Sequence, residues 1–190
     1  AFGTTINTIP FKDPYLTPNR TRITRWQSIL QRKTRPVVGL AWRGNPNHIN
    51  DQRRSAKLDE IIGFLSDDFD WVSLERFPTK DERRLIKKTR YMRQFGCEIG
   101  DFSETAALCC ALDAVISVDT STAHLAASVG IQTHVLLRDC ADWRWLQNRS
   151  DTPWYQSMTL HRKPEKMCWG ELVQMVIKQV NQEIQIPCGK

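Results

Sequence analysis

The chain has 190 residues, 41% of them hydrophobic and 25% charged, with a formal net charge of +6. This is the balance of a soluble globular protein with enough chain to bury one real core, most simply as a single domain. It excludes a helical membrane protein, since no apolar run approaches the roughly 20 residues that span a bilayer.

Residues 1–20 contain Pro10, Pro14 and Pro18 without periodicity and read as an extended connector. The first residues, Ala1 to Thr5, lack the basic and apolar regions of a signal peptide, so a cytoplasmic location is expected. The absence of an initiating Met points to a fragment or a processed chain. Arg22 to Gln31, with Ile23, Trp26, Ile29 and Leu30, fits an amphipathic helix. Pro36 to Trp42 is a continuous apolar run, as a strand covered on both faces shows. A polar loop, Arg43 to Ser55, leads into a helix over Lys57 to Leu65, and Phe69 to Leu74 forms the second strand. Asp81 to Gln94 reads as a helix, Cys97 to Ile99 as a short third strand, and Ser103 to Leu112 as a helix with Ser103 at its N-cap. Ala114 to Val118 is the fourth strand and Thr133 to Leu137 the fifth. Trp169 to Ile184 is a last amphipathic helix, with Leu172, Val173, Val176, Ile177 and Val180 on one face. Short apolar strands alternating with helices predict an α/β fold, a doubly wound parallel sheet of Rossmann-like kind. The domain is expected to span residues 21–190.

The stretch Asp113 to Gly130 carries the most chemistry. A buried strand ends in Asp119, the hydroxylated residues Thr120, Ser121 and Thr122 follow, and a helix with His124 in its first turn runs to Gly130. Gly130 stands where a helix C-terminus favours a residue tolerant of positive φ. Such a turn aims free N–H groups, short hydroxyls and the positive end of a helix dipole at one point, which suits an anion such as a diphosphate. The alternative is a plain strand–helix crossover with Thr or Ser as N-cap.

In a parallel sheet, ligands sit beyond the carboxyl ends of the strands. That edge gathers Arg43, His48, Arg54, Glu75, Asp101, Asp119 to His124, and Arg138 to Trp145. Several cations and hydroxyls there suit a ligand with a charged diphosphate and a neutral, hydroxyl-rich part. The basic residues cluster in patches, at Arg20, Arg22 and Arg25; at Arg32, Lys33 and Arg35; at Arg53, Arg54 and Lys57; and from Arg83 to Arg93. Such patches attract nucleic acid, anionic lipid or phosphorylated small molecules, or simply form a solvated helix face. The chain has no helix-turn-helix signature, RNP motif or paired zinc ligands, which argues against nucleic acid. Six cysteines occur without a C-x-x-C, two of them adjacent as Cys109-Cys110, so reduced thiols and no zinc site are expected. Asp68-Phe69-Asp70 precedes the second strand and reads as a turn on the opposite edge, not as a metal site. Trp143, Trp145 and Trp154 have few polar neighbours and are expected to be mainly structural, with at least two packed against the domain.

The segments Gly39 to Asp51, Arg54-Ser55, Ile99 to Phe102, Asp119 to Gly130, Asp142 to Trp145 and Pro153 to Tyr155 together resemble the C-terminal half of bacterial GT-B glycosyltransferases. The resemblance is to those fused to tetratricopeptide repeats and related to the heptosyltransferases, and it covers nearly the whole chain. It implies a domain that binds a nucleoside-diphosphate sugar for metal-independent transfer to a glycan or protein acceptor, with no cofactor. Heptosyltransferases carry Asp-Thr-Gly-x-x-His after this strand, with backbone amides on the donor diphosphate and the aspartate on the sugar. By resemblance the motif falls on Asp119, Thr120, Ser121 and His124, with Thr122 beside them. Ser121 replaces the family's glycine, which loosens the approach of the backbone and adds a hydroxyl. The resemblance also implies a basic residue on the phosphates, Arg54 or its competitor Arg43, and a nucleoside contact at Glu75. No catalytic residue is assigned in this chain. The base that activates the acceptor is expected in a missing N-terminal domain, from which residues 1–20 would arrive as the connector. Two further readings are a non-catalytic scaffold and an anion- or nucleic-acid-binding module.

Overall fold

The computed structural model describes residues 3–10, 13–31, 35–49, 51–139 and 141–185, with Arg53 and Gln185 described as backbone only. Arg32, Lys33 and the Arg53 side chain, named above, lie outside that description, as do Asn50 of the first loop and two of the six cysteines, Cys140 and Cys188.

Six strands form one sheet: β1 (Val37–Ala41), β2 (Asp70–Ser73), β3 (Met92–Gln94), β4 (Ala114–Val118), β5 (Thr133–Arg138) and β6 (Met158–Lys163). Their order is β3-β2-β1-β4-β5-β6 and every neighbouring pair is parallel. This is the Rossmann order, in which the chain winds outward from β1 to one side and then from β4 to the other. All five residues of β1 and of β4 are buried, as expected for strands covered on both faces.

The helices are α1 (Arg20–Leu30), α2 (Asp51–Arg54), α3 (Leu58–Ile61), α4 (Lys80–Lys88), α5 (Phe102–Cys109), α6 (Ser121–Ser128) and α7 (Trp169–Gln185). Val38, Leu40, Ile116 and Val118 turn to one face and pack with Leu58, Ile61, Ile86, Leu172 and Val176 of α3, α4 and α7. Val37, Ala41 and Val115 turn to the other face and pack with Trp26, Leu108 and Ala126 of α1, α5 and α6. Period-two alternation along the strands thus builds two apolar layers from one sheet.

Three sequence expectations need correction. The helix expected over Asp81 to Gln94 starts at Lys80, where Thr79 and Glu82 form a reciprocal capping box, and ends at Lys88. Met92, which extended its apolar pattern, instead opens β3 and pairs with Trp71. Cys97 to Ile99 is therefore no strand; Gly96–Glu98 is a single 3₁₀ turn. The N-cap of α5 is Asp101, which accepts the Glu104 N–H at 2.8 Å, and not Ser103. The sixth strand, β6, was not expected at all. Its sequence mixes Thr159, His161 and Arg162 with apolar residues, and it stays at the sheet edge beside β5.

The segment before α1 is extended but docked. Tyr15 and Leu16 both donate backbone N–H groups to the Ser128 carbonyl, at 3.0 and 3.1 Å. Pro14 lies against Gly130, which closes α6 with φ +85°, and a Cβ at residue 130 would meet Pro14 Cγ at 2.6 Å. Only glycine satisfies both the conformation and the contact.

Candidate functional site

The order of the sheet reverses between β1 and β4, so the loops leaving these two strands diverge and leave a crevice. The loop after β4 is short: Asp119 and Thr120 lead straight into α6. Ala123 and His124 donate backbone N–H groups to the Thr120 carbonyl, at 3.1 and 3.4 Å. The N–H groups of Ser121 and Thr122 remain at the open helix end. Thr120 is the N-cap residue, yet its hydroxyl makes no capping bond and lies 3.3 Å from Ser117 Oγ. The helix end is thus left uncapped by its own side chain.

The loop after β1 supplies two arginines in different states. Arg43 is held: its Nε lies 3.3 Å from Glu82 and 3.5 Å from Glu75, and its Nη2 donates to the Phe77 carbonyl at 2.9 Å. Glu75 is pushed up to about 7 by burial, with Arg43 pulling the other way. Arg54 is held by one carboxylate. Asp51 accepts from Arg54 Nε at 3.3 Å and from the Ser55 hydroxyl at 2.9 Å, and Ser55 Oγ accepts the Gly44 N–H at 2.9 Å. A Cβ at residue 44 would sit 2.6 Å from Arg54 Nη2, so glycine there lets the guanidinium lie across the loop.

His124 projects from the first turn of α6. Its Nδ1 is 3.1 Å from the Tyr155 hydroxyl and its Nε2 is 3.9 Å from Asp119. The ring stacks on fully buried Trp145, with centroids 5.1 Å apart and planes at 18°. Burial holds its pKa below the ordinary imidazole value, against the pull of Asp119. Trp154 is half-buried and donates its indole N–H to the Arg144 carbonyl at 2.9 Å, while Trp143 is 68% exposed. Two of the three tryptophans therefore pack, and Trp143 does not.

Two adjoining cavities occupy the crevice. The first, about 660 Å³, is lined by Arg54, Asp119, Thr120, Ser121 and His124, with His48, Arg138, Asp142 and Arg144 opposite. The second, about 560 Å³, is lined by Arg43, Arg54, Glu75, Thr120, Ser121 and Thr122, with Arg76, Ile99, Gly100 and Phe102. All eight residues expected from the sequence thus line one or both cavities, and Arg54, Thr120 and Ser121 line both. Tyr155, which bonds His124, was missed as a site residue, while Trp145, placed on this edge and expected to pack, does so against the His124 ring. They come from beyond β5, and nothing in their own sequence marks contact with α6.

Asp68 and Asp70 fall at the opposite edge. Asp70 is ion-paired with Arg35 at 2.7 Å, and Asp68 accepts from the Ser66 hydroxyl.

The fold is shared with solved glycosyltransferases. E. coli ADP-heptose LPS heptosyltransferase II superposes with a TM-score of 0.58 at 11% identity, covering 90% of this chain and 54% of that one. The E. coli heptosyltransferase WaaC with ADP gives 0.55 at 14% identity, covering 93% and 52%. A glycosyl transferase family 9 protein from Veillonella parvula gives 0.56 at 8% identity, covering 96% and 49%. At these identities the likeness establishes a GT-B-like, Rossmann-type fold, and the chain spans about half the length of the structures it matches. No family model and no curated protein matches the chain. Among the described residues, no helix is long and apolar enough to cross a membrane.

Proposed function

We propose that the chain is the donor-binding, C-terminal half of a GT-B glycosyltransferase of hexosyl- or heptosyltransferase type. In this reading it holds a nucleoside-diphosphate sugar for metal-independent transfer to a glycan or protein acceptor. The observation that carries the reading is the meeting of two cavities at one uncapped helix N-terminus, with Arg54, Thr120 and Ser121 common to both.

The diphosphate lies on the N–H groups of Ser121 and Thr122, within reach of their hydroxyls and of Arg54. Arg54 takes the cation role, because Arg43 is committed to Glu75 and Glu82. The sugar enters the first cavity beside Asp119 and His124, and the nucleoside the second beside Glu75. Sugar transfer builds negative charge on the departing diphosphate. Fixed N–H groups, hydroxyls and a guanidinium stabilise that charge without reorganising, and one such donor is typically worth about 3 kcal/mol of barrier. The acceptor and the base that activates it belong to a second domain, in keeping with a chain that spans half of its structural neighbours. On motif resemblance the full protein is of the tetratricopeptide-repeat-fused kind and cytoplasmic.

Thermal-shift measurements against UDP-, GDP- and ADP-sugars test the reading, since a ligand that binds only the folded state raises its stability. One nucleotide series is expected to raise Tm. The double variant Arg54→Ala, His124→Ala then weakens the matching nucleoside diphosphate by about 10- to 100-fold and leaves the nucleoside unchanged. No shift with any donor would sink the donor-site reading in favour of a scaffold. Equal loss for diphosphate and nucleoside would remove Arg54 and His124 from the phosphate site.

A further inference from the structure

The groups around His124 constrain where its proton lies. Nδ1 faces the Tyr155 hydroxyl at 3.1 Å, and Nε2 is the nitrogen on the side of Asp119 and the first cavity. A neutral imidazole has one N–H and one lone pair. A lone pair on Nε2 would face the Asp119 carboxylate 3.9 Å away and be repelled, whereas an N–H there is attracted. Nδ1 then carries the lone pair and needs a donor, and the Tyr155 hydroxyl is the group in place.

The other end of the cluster is fixed by a second obligate acceptor. Ser128 Oγ is 2.6 Å from the His124 carbonyl oxygen and 2.9 Å from the Tyr15 hydroxyl. Its single proton is drawn first to the carbonyl, which can only accept. Tyr15 stacks beside Tyr155, with centroids 6.5 Å apart, and buttresses it from the N-terminal segment. The Tyr155 proton has three candidate acceptors, His124 Nδ1, the Tyr15 oxygen and Ser128 Oγ, and the charge on Asp119 decides for Nδ1.

We propose that Tyr155 is a positioning residue for His124: its hydroxyl donates to Nδ1 and locks the neutral ring as the Nε2–H tautomer, with that N–H aimed into the first cavity. What the N–H meets there, a phosphate oxygen or a sugar hydroxyl of a bound nucleoside-diphosphate sugar, rests on the function proposed above. The tautomer does not. Burial supports a neutral ring, and nearby Arg144 and Asp142 act on it in opposite senses. His124 is therefore a hydrogen-bond donor of fixed direction, and its stacking on Trp145 keeps the ring from turning.

Long-range ¹H–¹⁵N correlation spectra of the histidine-labelled chain read the tautomer directly, with His124 identified by its loss in His124→Gln. The expected result is a protonated Nε2 and a bare Nδ1 at neutral pH. In Tyr155→Phe only the Asp119 bias remains, so Nδ1 loses its hydrogen-bond shift and the Nε2–H fraction falls. Calorimetry with whichever of ADP, UDP or GDP binds the wild-type chain should then show affinity down about threefold to tenfold, with the nucleoside unaffected. Tyr15→Phe removes one competing acceptor and keeps Nε2–H. An Nδ1–H ring in the wild type, or a spectrum unchanged by Tyr155→Phe, would overturn the proposal. If none of the three diphosphates binds, the donor-site reading falls while the spectrum still decides the tautomer.

Discussion

His124 and the His134–His161 pair are both buried imidazoles held against other rings, and in both places burial lowers the pKa. Their surroundings differ. His134 Nδ1 lies 3.0 Å from His161 Nε2 between β5 and β6, and the rings stack at 5.2 Å. Glu183 of α7 approaches His134 Nε2 at 3.3 Å, but its oxygens accept from Gln132 and Gln179, at 3.3 and 2.8 Å. Neither ring lines either of the two large cavities. His124 too has a carboxylate near one nitrogen, but it has a hydroxyl at the other and a cavity in front. Burial alone favours a neutral histidine; a cavity in front of one nitrogen makes it a candidate donor.

The sharpest way to break the comparison is to remove the floor under His124. Trp145→Ala should cost about 3–5 kcal/mol of stability, the range for a large buried aromatic. It should also loosen His124. Among the described residues the Trp145 indole N–H has no hydrogen-bond partner, so Trp145→Phe should cost much less. Denaturant unfolding of the two variants checks this, and equal losses would mean that the indole N–H matters after all.

The histidine pair should reveal itself through pH. Burial brings both residues to about 4, below the ordinary 6.5, with repulsion between the rings adding to the effect on His161. Between those values the unfolded chain binds more protons than the folded one. The stabilisation is thus complete above about pH 6.5 and is lost as pH falls toward 4, by something on the order of 3 kcal/mol for each histidine. The double variant His134→Leu, His161→Leu should flatten this slope of unfolding free energy against pH. A slope that survives the replacement would assign it to other groups.

Trp143→Ala gives the smallest effect and serves as the control for Trp145. With 68% of the residue exposed, the change should stay within about 0.5 kcal/mol. A larger loss in the same unfolding assay would show that its edge-on contact with Trp154 carries stability.

The four strands recovered near their true bounds, β1, β2, β4 and β5, are the central ones, where near-continuous apolar runs announce burial on both faces. The edge strands escaped because half of each is polar. Met92-Arg93-Gln94 continues the apolar rhythm of α4, and His161 and Lys163 break the pattern of β6. Lys163 is buried only because its ammonium donates to the Met167 carbonyl at 2.6 Å, a local closure that no periodicity encodes. At the site, the loop-end residues were legible because a parallel sheet brings the ends of all its strands to one edge. The partners of Arg43 and Arg54 were not, since they depend on Glu75 and Glu82 reaching the first guanidinium and Asp51 the second. Tyr155 was invisible as a partner of His124 for the same reason: 31 residues separate the two, and only the packing of β6 beside β5 brings them together.

The contact of Pro14 with Gly130 gives α6 a mechanical role. Two backbone bonds from Tyr15 and Leu16 tether the helix at its C-terminal end, one short rigid rod away from the cavities at its N-terminal end. A displacement of Tyr15 and Leu16 is therefore passed to the C-terminal end of α6 through two hydrogen bonds that share one carbonyl.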